Sequence, residues 1–372
     1  MSGFGAYVHI PFCTKRCDYC AFATTIDQAG RIPAYLSAVC SHIEADVRQA
    51  HLPALTSVFF GGGTPSLVPP ELLMAVLRRL PLAVGAEVTV ECNPDNITAA
   101  LLDSYLEGGV TRVSMGVQSF DPAVLAGLGR DHDPRSVQHA AGLLAARGFA
   151  SWNADLIYGA AGESIESWRR TVESLLELCP PHISAYALTV EAGTPLASQP
   201  ARHPDDDDQA AKYEIADELF QAAGTGWYEI SNWAKPGHAC RHNQLYWDQG
   251  DYVAYGVAAH GHRSGRRYWN VRSIERYIEL IEAGRSPCSG EEVLDPEVRR
   301  AEAAQLLIRT RTGVPQAWLP EAVRAELPVG LVVRDGDQWV LTRHGRLLAN
   351  EVAMRLVPPE ESEPVRRPAA AT

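Results

Sequence analysis

Apolar residues in the first half of the chain alternate between two rhythms. Short runs with strand character stand at Ala6–Ile10, Ser57–Phe60, Glu87–Glu91, Arg112–Val117, Ser151–Tyr158 and His182–Thr189. Between them, apolar positions recur at helical spacing in Pro33–Ala50, Pro70–Leu80, Ala99–Glu107, Ser136–Arg147 and Ser164–Leu178. Repeated βα units predict a parallel sheet with helices outside, in the α/β class. The pattern alone does not separate an open from a closed barrel. Further on, Pro195, Pro200 and Pro204 precede Asp205–Asp208. This reads as a surface connection into a helix at Gln209–Ala223, with the acidic run at its N-terminal end. Val298–Arg311 reads as a helix, Gly330–Val340 as a hairpin turning at Asp335-Gly336-Asp337, and Thr342–Val357 as a final helix.

Residues that interrupt the apolar pattern gather at strand ends. Cys13, Cys17 and Cys20 follow the first strand, Gly61–Thr64 the second, and Glu91 ends the third. Gln118 and Ser119 end the fourth; Asp155 lies within the fifth, before Gly159. The carboxyl ends of parallel strands are where such folds build their sites. The cysteines are spaced CxxxCxxC, and soft thiolates in a compact loop suit an iron–sulfur cluster. Three ligands on a four-iron cube leave one iron open. Structural zinc usually needs a fourth Cys or His, and no second pair lies nearby.

The glycines of FFGGGTPS let backbone amides approach a ligand closely, and Thr64 adds a hydroxyl. The alternative is a tight turn stopped by Pro65. No GK[ST] follows, so the stretch is not a phosphate loop. Glu91, flanked by apolar residues, needs a partner such as an ammonium or sugar hydroxyls, or else a structural salt bridge. Gln118 suits a neutral donor–acceptor or a cap. Arg130 suits an anion or a solvated surface. Asp155 suits a ligand contact or a buried ion pair with Arg130.

A second dense stretch, Tyr228–His262, holds Trp233, Tyr246, Trp247, Tyr252 and Tyr255 with His238, His242, His260 and His262. Aromatics with interleaved imidazoles suit a flat macrocycle whose iron a histidine ligates. The alternative is an aromatic subdomain whose histidines only satisfy hydrogen bonds.

Composition narrows the classes. The 372 residues carry a formal net charge of −12 with no long basic block, against extensive nucleic-acid binding. No apolar run approaches the roughly 20 residues of a membrane span, and the N-terminus lacks a signal-peptide layout. Eight cysteines in this length do not suggest a disulfide framework. An open cluster favours a reducing compartment, so a cytoplasmic location is expected. Cys40, Cys92, Cys179 and Cys288 read as packing residues.

The stretch Tyr7–Phe22, YVHIPFCTKRCDYCAF, resembles the radical S-adenosylmethionine (SAM) superfamily. Within it, the motif is similar to the branch that contains oxygen-independent coproporphyrinogen III oxidase and a group of haem chaperones. The resemblance implies a partial (β/α)6 barrel and a 4Fe–4S cluster at Cys13, Cys17 and Cys20. It implies SAM contacts at Tyr7, Tyr19, Gly62, Gly63, Thr64, Glu91, Gln118, Arg130 and Asp155, with GGGTP holding the aminocarboxylate. RHNQLYW matches the HNxxYW motif that marks the haem chaperones, which makes His242 the first expected haem ligand and His260 the second. The oxidase carries a further cysteine where Phe22 stands here, and a longer segment before the motif. The resemblance therefore implies a haem chaperone that passes haem to acceptor proteins, respiratory enzymes at the membrane among them. The alternative is radical decarboxylation of coproporphyrinogen III, and SAM cleavage is compatible with either. The expected organisation is a core barrel at 1–200, a linker and haem-binding region at 201–295, a winged-helix-like domain at 296–357 and a disordered tail at 358–372.

Overall fold

The computed structural model describes residues 3–49 and 52–356; the expected tail, 358–372, lies outside the described residues. Strands β1 (Phe4–Ile10), β2 (Leu55–Gly62), β3 (Leu82–Cys92), β4 (Arg112–Gln118), β5 (Ser151–Tyr158) and β6 (His182–Ala187) follow the predicted runs. They pair in chain order and all run parallel. Helices α1 (Ile32–Gln49), α2 (Pro70–Leu77), α3 (Ala99–Gly108), α4 (Pro122–Gly127), α5 (Pro134–Arg147) and α6 (Ile165–Glu177) connect them. Of these only α4 was unforeseen. It is short, and Asp121 caps it by accepting from the Ala123 amide.

Successive side chains of a strand point to opposite faces. One face carries Val58, Phe60, Val88, Val90, Val113, Met115, Ala154, Leu156, Ile183 and Ala185, all buried. The other carries Ser57, Glu87, Thr89, Arg112, Ser114, Asn153, His182 and Ser184, also buried. The barrel is thus apolar towards its helices and polar inside. That is why each strand alternates in sequence although neither face meets bulk water.

Beyond β6 the chain forms α7 (Asp206–Ala222), β7 (Gly226–Glu229), β8 (Asn232–Ala234), α8 (Arg241–Trp247), β9 (Asp251–Tyr255), β10 (His260–Arg263), β11 (Arg266–Asn270), α9 (Ile274–Glu282) and β12 (Cys288–Val293). Asp205 caps α7, as the acidic run suggested, by accepting from the Asp208 amide. Strand β9 adds parallel to β1, and β8 adds antiparallel to β6. The result is an open twelve-stranded sheet, ordered β12-β11-β10-β9-β1-β2-β3-β4-β5-β6-β8-β7. Residues 1–227 and 231–294 therefore form one unit. The boundary expected at 200 is corrected, because backbone pairing carries 201–294 into the barrel's own sheet. Cys40 and Cys92 are buried as expected, but Cys179 is exposed.

The second unit comprises Tyr228–Ile230 and residues from Asp295 onward. It contains α10 (Pro296–Leu307), β13 (Val314–Pro315), α11 (Glu321–Glu326), β14 (Val332–Asp335), β15 (Gln338–Leu341), α12 (Arg343–Leu347) and α13 (Ala349–Met354). Its three-stranded sheet is ordered β13-β15-β14, around a core that includes Ile308, Val314, Leu341 and Val352. The helix expected over Thr342–Val357 is two helices. Thr342 caps the first, but Leu348 departs from helical geometry at φ −111°, ψ 28°, and α13 starts afresh to bury Ala349, Val352 and Ala353. Val357 lies outside the described residues.

Candidate functional site

The polar interior opens at the carboxyl ends of the strands into a cavity of about 510 Å3. Cys13, Cys17 and Cys20 line it, with Tyr19, Gly62, Gly63, Thr64, Glu91, Gln118, Arg130 and Asp155. Eleven residues singled out in sequence, spread over Cys13 to Asp155, thus share one wall. Tyr7 does not. It stacks on Phe59 with ring centroids 6.4 Å apart and donates from its hydroxyl to His9 Nδ1 at 3.0 Å.

Short backbone links fix the cysteine loop. His9 Nε2 lies 2.8 Å from the Ala23 carbonyl. A carbonyl can only accept, so Nε2 carries the proton and Nδ1 accepts from Tyr7. The Cys13 amide donates to the Thr25 carbonyl at 2.9 Å, and the Thr25 amide to that of Pro11 at 2.8 Å. The glycine strip is tied to the same loop: the Gly63 amide donates to the Ile10 carbonyl at 2.7 Å and the Thr64 amide to that of Phe12 at 2.8 Å. Gly62 holds φ +114°, and a Cβ there would overlap the His9 ring; a Cβ at Gly63 would come 2.7 Å from the Phe12 carbonyl oxygen. Both positions need glycine because two chain segments meet there.

Two groups reach the thiols. Thr64 Oγ1 donates to Cys13 Sγ and Arg130 Nη1 to Cys17 Sγ, each at 3.7 Å. Burial pushes the Cys13 and Cys20 thiols above their ordinary range, so these sulfurs need cationic partners to ionise. Among the described residues no three His, Cys, Asp or Glu side chains converge as a lone metal ion requires. Three thiols set round an open cavity fit the spread corners of a cluster instead.

The carboxylates sit deeper. Glu91 Oε2 accepts from the Gly62 amide at 3.0 Å. Burial, and then the neighbouring Asp155 charge, push Glu91 up to about 8. Asp155 accepts from Ser114 Oγ at 3.1 Å and Asn153 Nδ2 at 2.8 Å, and burial raises it as well. It is not paired with Arg130, as one reading of the sequence had it. Arg130 Nη2 instead donates to Asn93 Oδ1 at 2.6 Å and to the Gly116 carbonyl at 3.2 Å. Gln118 holds φ +64°, uncommon for a residue with a side chain, and its amide Nε2 lies 3.0 Å from where a Gly116 Cβ would be. Sequence reasoning did not assign Asn93, Ser114 or Asn153 to the site. The only signal for them was their place beside or opposite the marked strand ends.

The RHNQLYW stretch lies elsewhere. It forms α8 at the amino ends of the strands, where Glu87 caps it by accepting from the Arg241 and His242 amides at 3.2 and 3.1 Å. His242 is buried, with Nδ1 2.9 Å from Ser57 Oγ and Nε2 2.8 Å from Tyr246 Oη. Its ring stacks on Phe59 at 5.4 Å, and burial pushes its pKa down to about 3. Ser57 pairs with Gly5, whereas the cluster loop starts after Ile10. Five residues at about 3.3 Å each put roughly 16 Å between the two ends. Both His242 nitrogens are thus engaged by protein hydroxyls. The other marked histidines divide: His238 bonds Ser151 Oγ at 3.1 Å and His262 the Gly250 carbonyl at 3.0 Å, while His260 is exposed and stacked on Trp269. The aromatics do not form one pocket either, since Trp233 is buried against Tyr213 and Phe220.

Residues 7–175 match the Radical SAM superfamily. Together with the three-thiol loop and the glycine strip at the barrel mouth, that match makes the chain a radical SAM protein, a class that implies a 4Fe–4S cluster and SAM. It is similar to the protein named heme chaperone HemW in Mycobacterium tuberculosis, 41% identical with 95% of each chain covered. The similarity to heme chaperone HemW of Escherichia coli K12 is 35%, covering 93% of this chain and 96% of that one. The chain belongs to the HemW family. Among solved structures it shares the fold of the coproporphyrinogen III oxidase HemN of Escherichia coli, at TM-score 0.82 and 23% identity over 95% of this chain and 90% of that one. Among the described residues no helix is long and apolar enough to cross a membrane.

Proposed function

We propose that this protein is a haem chaperone that binds haem and passes it to acceptor proteins, with a 4Fe–4S cluster and SAM at the barrel mouth. The observation that carries the reading is similarity to HemW over 95% of both chains. In this reading Cys13, Cys17 and Cys20, which line the cavity, would hold the cluster. The Gly62–Thr64 strip, with Glu91 behind it, receives the aminocarboxylate end of SAM. Arg130, locked by Asn93, lies beside the Cys17 sulfur and offsets cluster charge. Asp155, with Ser114 and Asn153, presents acceptors to ribose hydroxyls. When bound, the cluster supplies the electron by which SAM can be cleaved.

The protein works in the cytoplasm, and its acceptors include respiratory haem enzymes at the membrane. The C-terminal unit, whose helix–hairpin–helix order fits a winged helix, serves as a docking module. The test is anaerobic cluster reconstitution, haemin titration by absorbance, and transfer to an apo-haem protein, with coproporphyrinogen turnover assayed in parallel. Saturable binding and transfer without porphyrinogen turnover are expected. Turnover without haemin binding would return the chain to the oxidase reading.

A further inference from the structure

The inner faces of β1, β2 and β3 run from α8 at one end of the barrel to the cysteine loop at the other. Their register stacks side chains in layers. Gly5, Ser57 and Glu87 lie at the amino end, and Tyr7, Phe59 and Thr89 in the middle. His9 and Gly61 continue the alternation at the carboxyl end, beside Glu91. The first layer holds α8: Ser57 bonds the His242 ring, and Glu87 caps the helix. The last layer holds the SAM site. Glu91 accepts from the Gly62 amide, and His9 bonds the carbonyl of Ala23, just past Cys20.

A column of rings joins the two ends. Tyr246 meets His242 with centroids 5.1 Å apart. His242 stacks on Phe59 at 5.4 Å and 28°, Phe59 on Tyr7 at 6.4 Å and 25°, and Tyr7 reaches His9 at 6.0 Å. Glycines make room for it. A Cβ at Gly5 would come 3.2 Å from His242 Cε1, one at Gly61 2.9 Å from the Phe59 ring and 3.1 Å from the Glu91 carboxyl carbon, and one at Gly62 2.4 Å from the His9 ring. The column also fixes a tautomer. The Tyr7 hydroxyl donates to His9 Nδ1, which leaves the proton on Nε2 for the Ala23 carbonyl to accept.

We infer that Phe59 and Tyr7 are positioning residues that couple α8 to the SAM site, so that haem engaging α8 and SAM at the barrel mouth each weaken the other's binding. The inference rests on the chaperone reading, with the RHNQLYW helix as the seat of haem. An iron takes one imidazole nitrogen, and at His242 that breaks a bond to Tyr246 or Ser57. Drawn towards the iron, the ring shifts on Phe59, Phe59 no longer presses Tyr7 against His9, and the contacts to Ala23 and Gly62 slacken. Close packing passes such a shift along, since each ring has a neighbour and no void to absorb it. SAM on the glycine strip holds the same contacts closed and favours the His242 ring back on Ser57 and Tyr246. Coupling of this kind is reciprocal, with one factor acting on both affinities. For a carrier the consequence is a release signal: arrival of SAM loosens the cargo.

The experiment measures both affinities in the cluster-reconstituted full-length protein. SAM is titrated by equilibrium dialysis with and without saturating haemin, and haemin by absorbance with and without saturating SAM. In the wild type each ligand should weaken the other by about fivefold or more, by the same factor in both directions. Phe59→Leu keeps apolar bulk but removes the ring, and Tyr7→Phe keeps the ring but removes the hydroxyl from His9. In each variant the factor should fall below about twofold, whatever the change in either affinity alone, because it is a ratio taken within one variant. Independent or mutually strengthening binding in the wild type would overturn the coupling and leave the chaperone reading standing. So would antagonism that both variants retain in full. Failure of the wild type to bind haemin would overturn both.

Discussion

Replacing His242 by alanine separates a packing role from a ligand role. The substitution removes two buried hydrogen bonds, to Ser57 and Tyr246, and the stack on Phe59. It strands the Ser57 hydroxyl, which is fully buried. Two such losses cost about 2–4 kcal/mol and the ring-sized void roughly 1 more. A total of about 3–5 kcal/mol corresponds to a fall in Tm of roughly 6–10 °C, at about 2 °C per kcal/mol for a unit this large. The pH dependence gives the origin. Burial holds His242 at about 3, below the ordinary 6.5. Between those values the unfolded chain binds the proton and the folded chain does not, so wild-type stability falls with acidification at about 1.4 kcal/mol per pH unit. The alanine variant lacks that loss. By pH 5 the gap should therefore narrow by about 2 kcal/mol relative to pH 8. Calorimetry at both pH values reads this, with haemin titration beside it. An unchanged Tm at pH 8 together with weakened haemin binding would refute the reasoning and restore His242 as the ligand.

Other perturbations are equally direct. Glu91→Gln should weaken SAM binding about tenfold or more by equilibrium dialysis. It should also flatten the ligand-free stability profile. The wild-type carboxyl, raised from 4.5 to about 8, holds its proton in the folded state where the unfolded chain has lost it. Wild-type stability should therefore fall as pH rises through that window, by at most about 4–5 kcal/mol and less where cavity water screens the charge. Arg130→Lys keeps the charge but loses the fork that reaches Asn93, Gly116 and Cys17 at once. A tenfold or greater loss of SAM affinity with the cluster absorbance retained is expected. Lys212, fully buried against Glu163 and Asp208, should not tolerate methionine alone: about 3–5 kcal/mol of stability is lost because the buried Glu163 carboxylate keeps only the Gly159 amide, and Lys212→Met with Glu163→Gln, which still accepts from that amide, should recover part of it in urea melts.

The parts legible in sequence were those whose cause is local. The six barrel strands alternate because their inner face is polar, and the cysteine loop and glycine strip are short contiguous segments because each is fixed against the other by adjacent backbone bonds. Even so, Tyr7 was placed at the ligand from its motif; the pleat does put it on the inner face with Glu91, but its ring stacks on Phe59 and does not line the cavity. The sheet beyond β1 was not legible. Strand β9 finds its partner some 250 residues away, and nothing local in Asp251–Tyr255 names that neighbour. The packing role of the RHNQLYW motif was hidden for the same reason. Its histidine is demanded by Ser57 and its helix start by Glu87, both more than 150 residues upstream. A polar residue set by such distant packing looks the same in sequence as one set by a ligand. The break at Leu348 likewise follows from how α13 must turn its small residues inward, not from any helix-stopping residue.

The three residues Tyr228–Ile230 belong to the C-terminal unit although the first two end strand β7 and the third follows it. Arg311 donates its amide to the Tyr228 carbonyl at 2.8 Å, Glu229 bridges to Thr310, and Ile230 packs against the core around Ile308 and Val352. A ribosome therefore releases these residues about eighty positions before their partners exist. For that interval the growing chain carries an apolar isoleucine and open backbone groups that nothing can yet satisfy. Shortening the protein at Leu294 would make that interval permanent. Removing the C-terminal unit is thus not a neutral way to ask what it does, whereas substitutions within its own core leave the crossing intact.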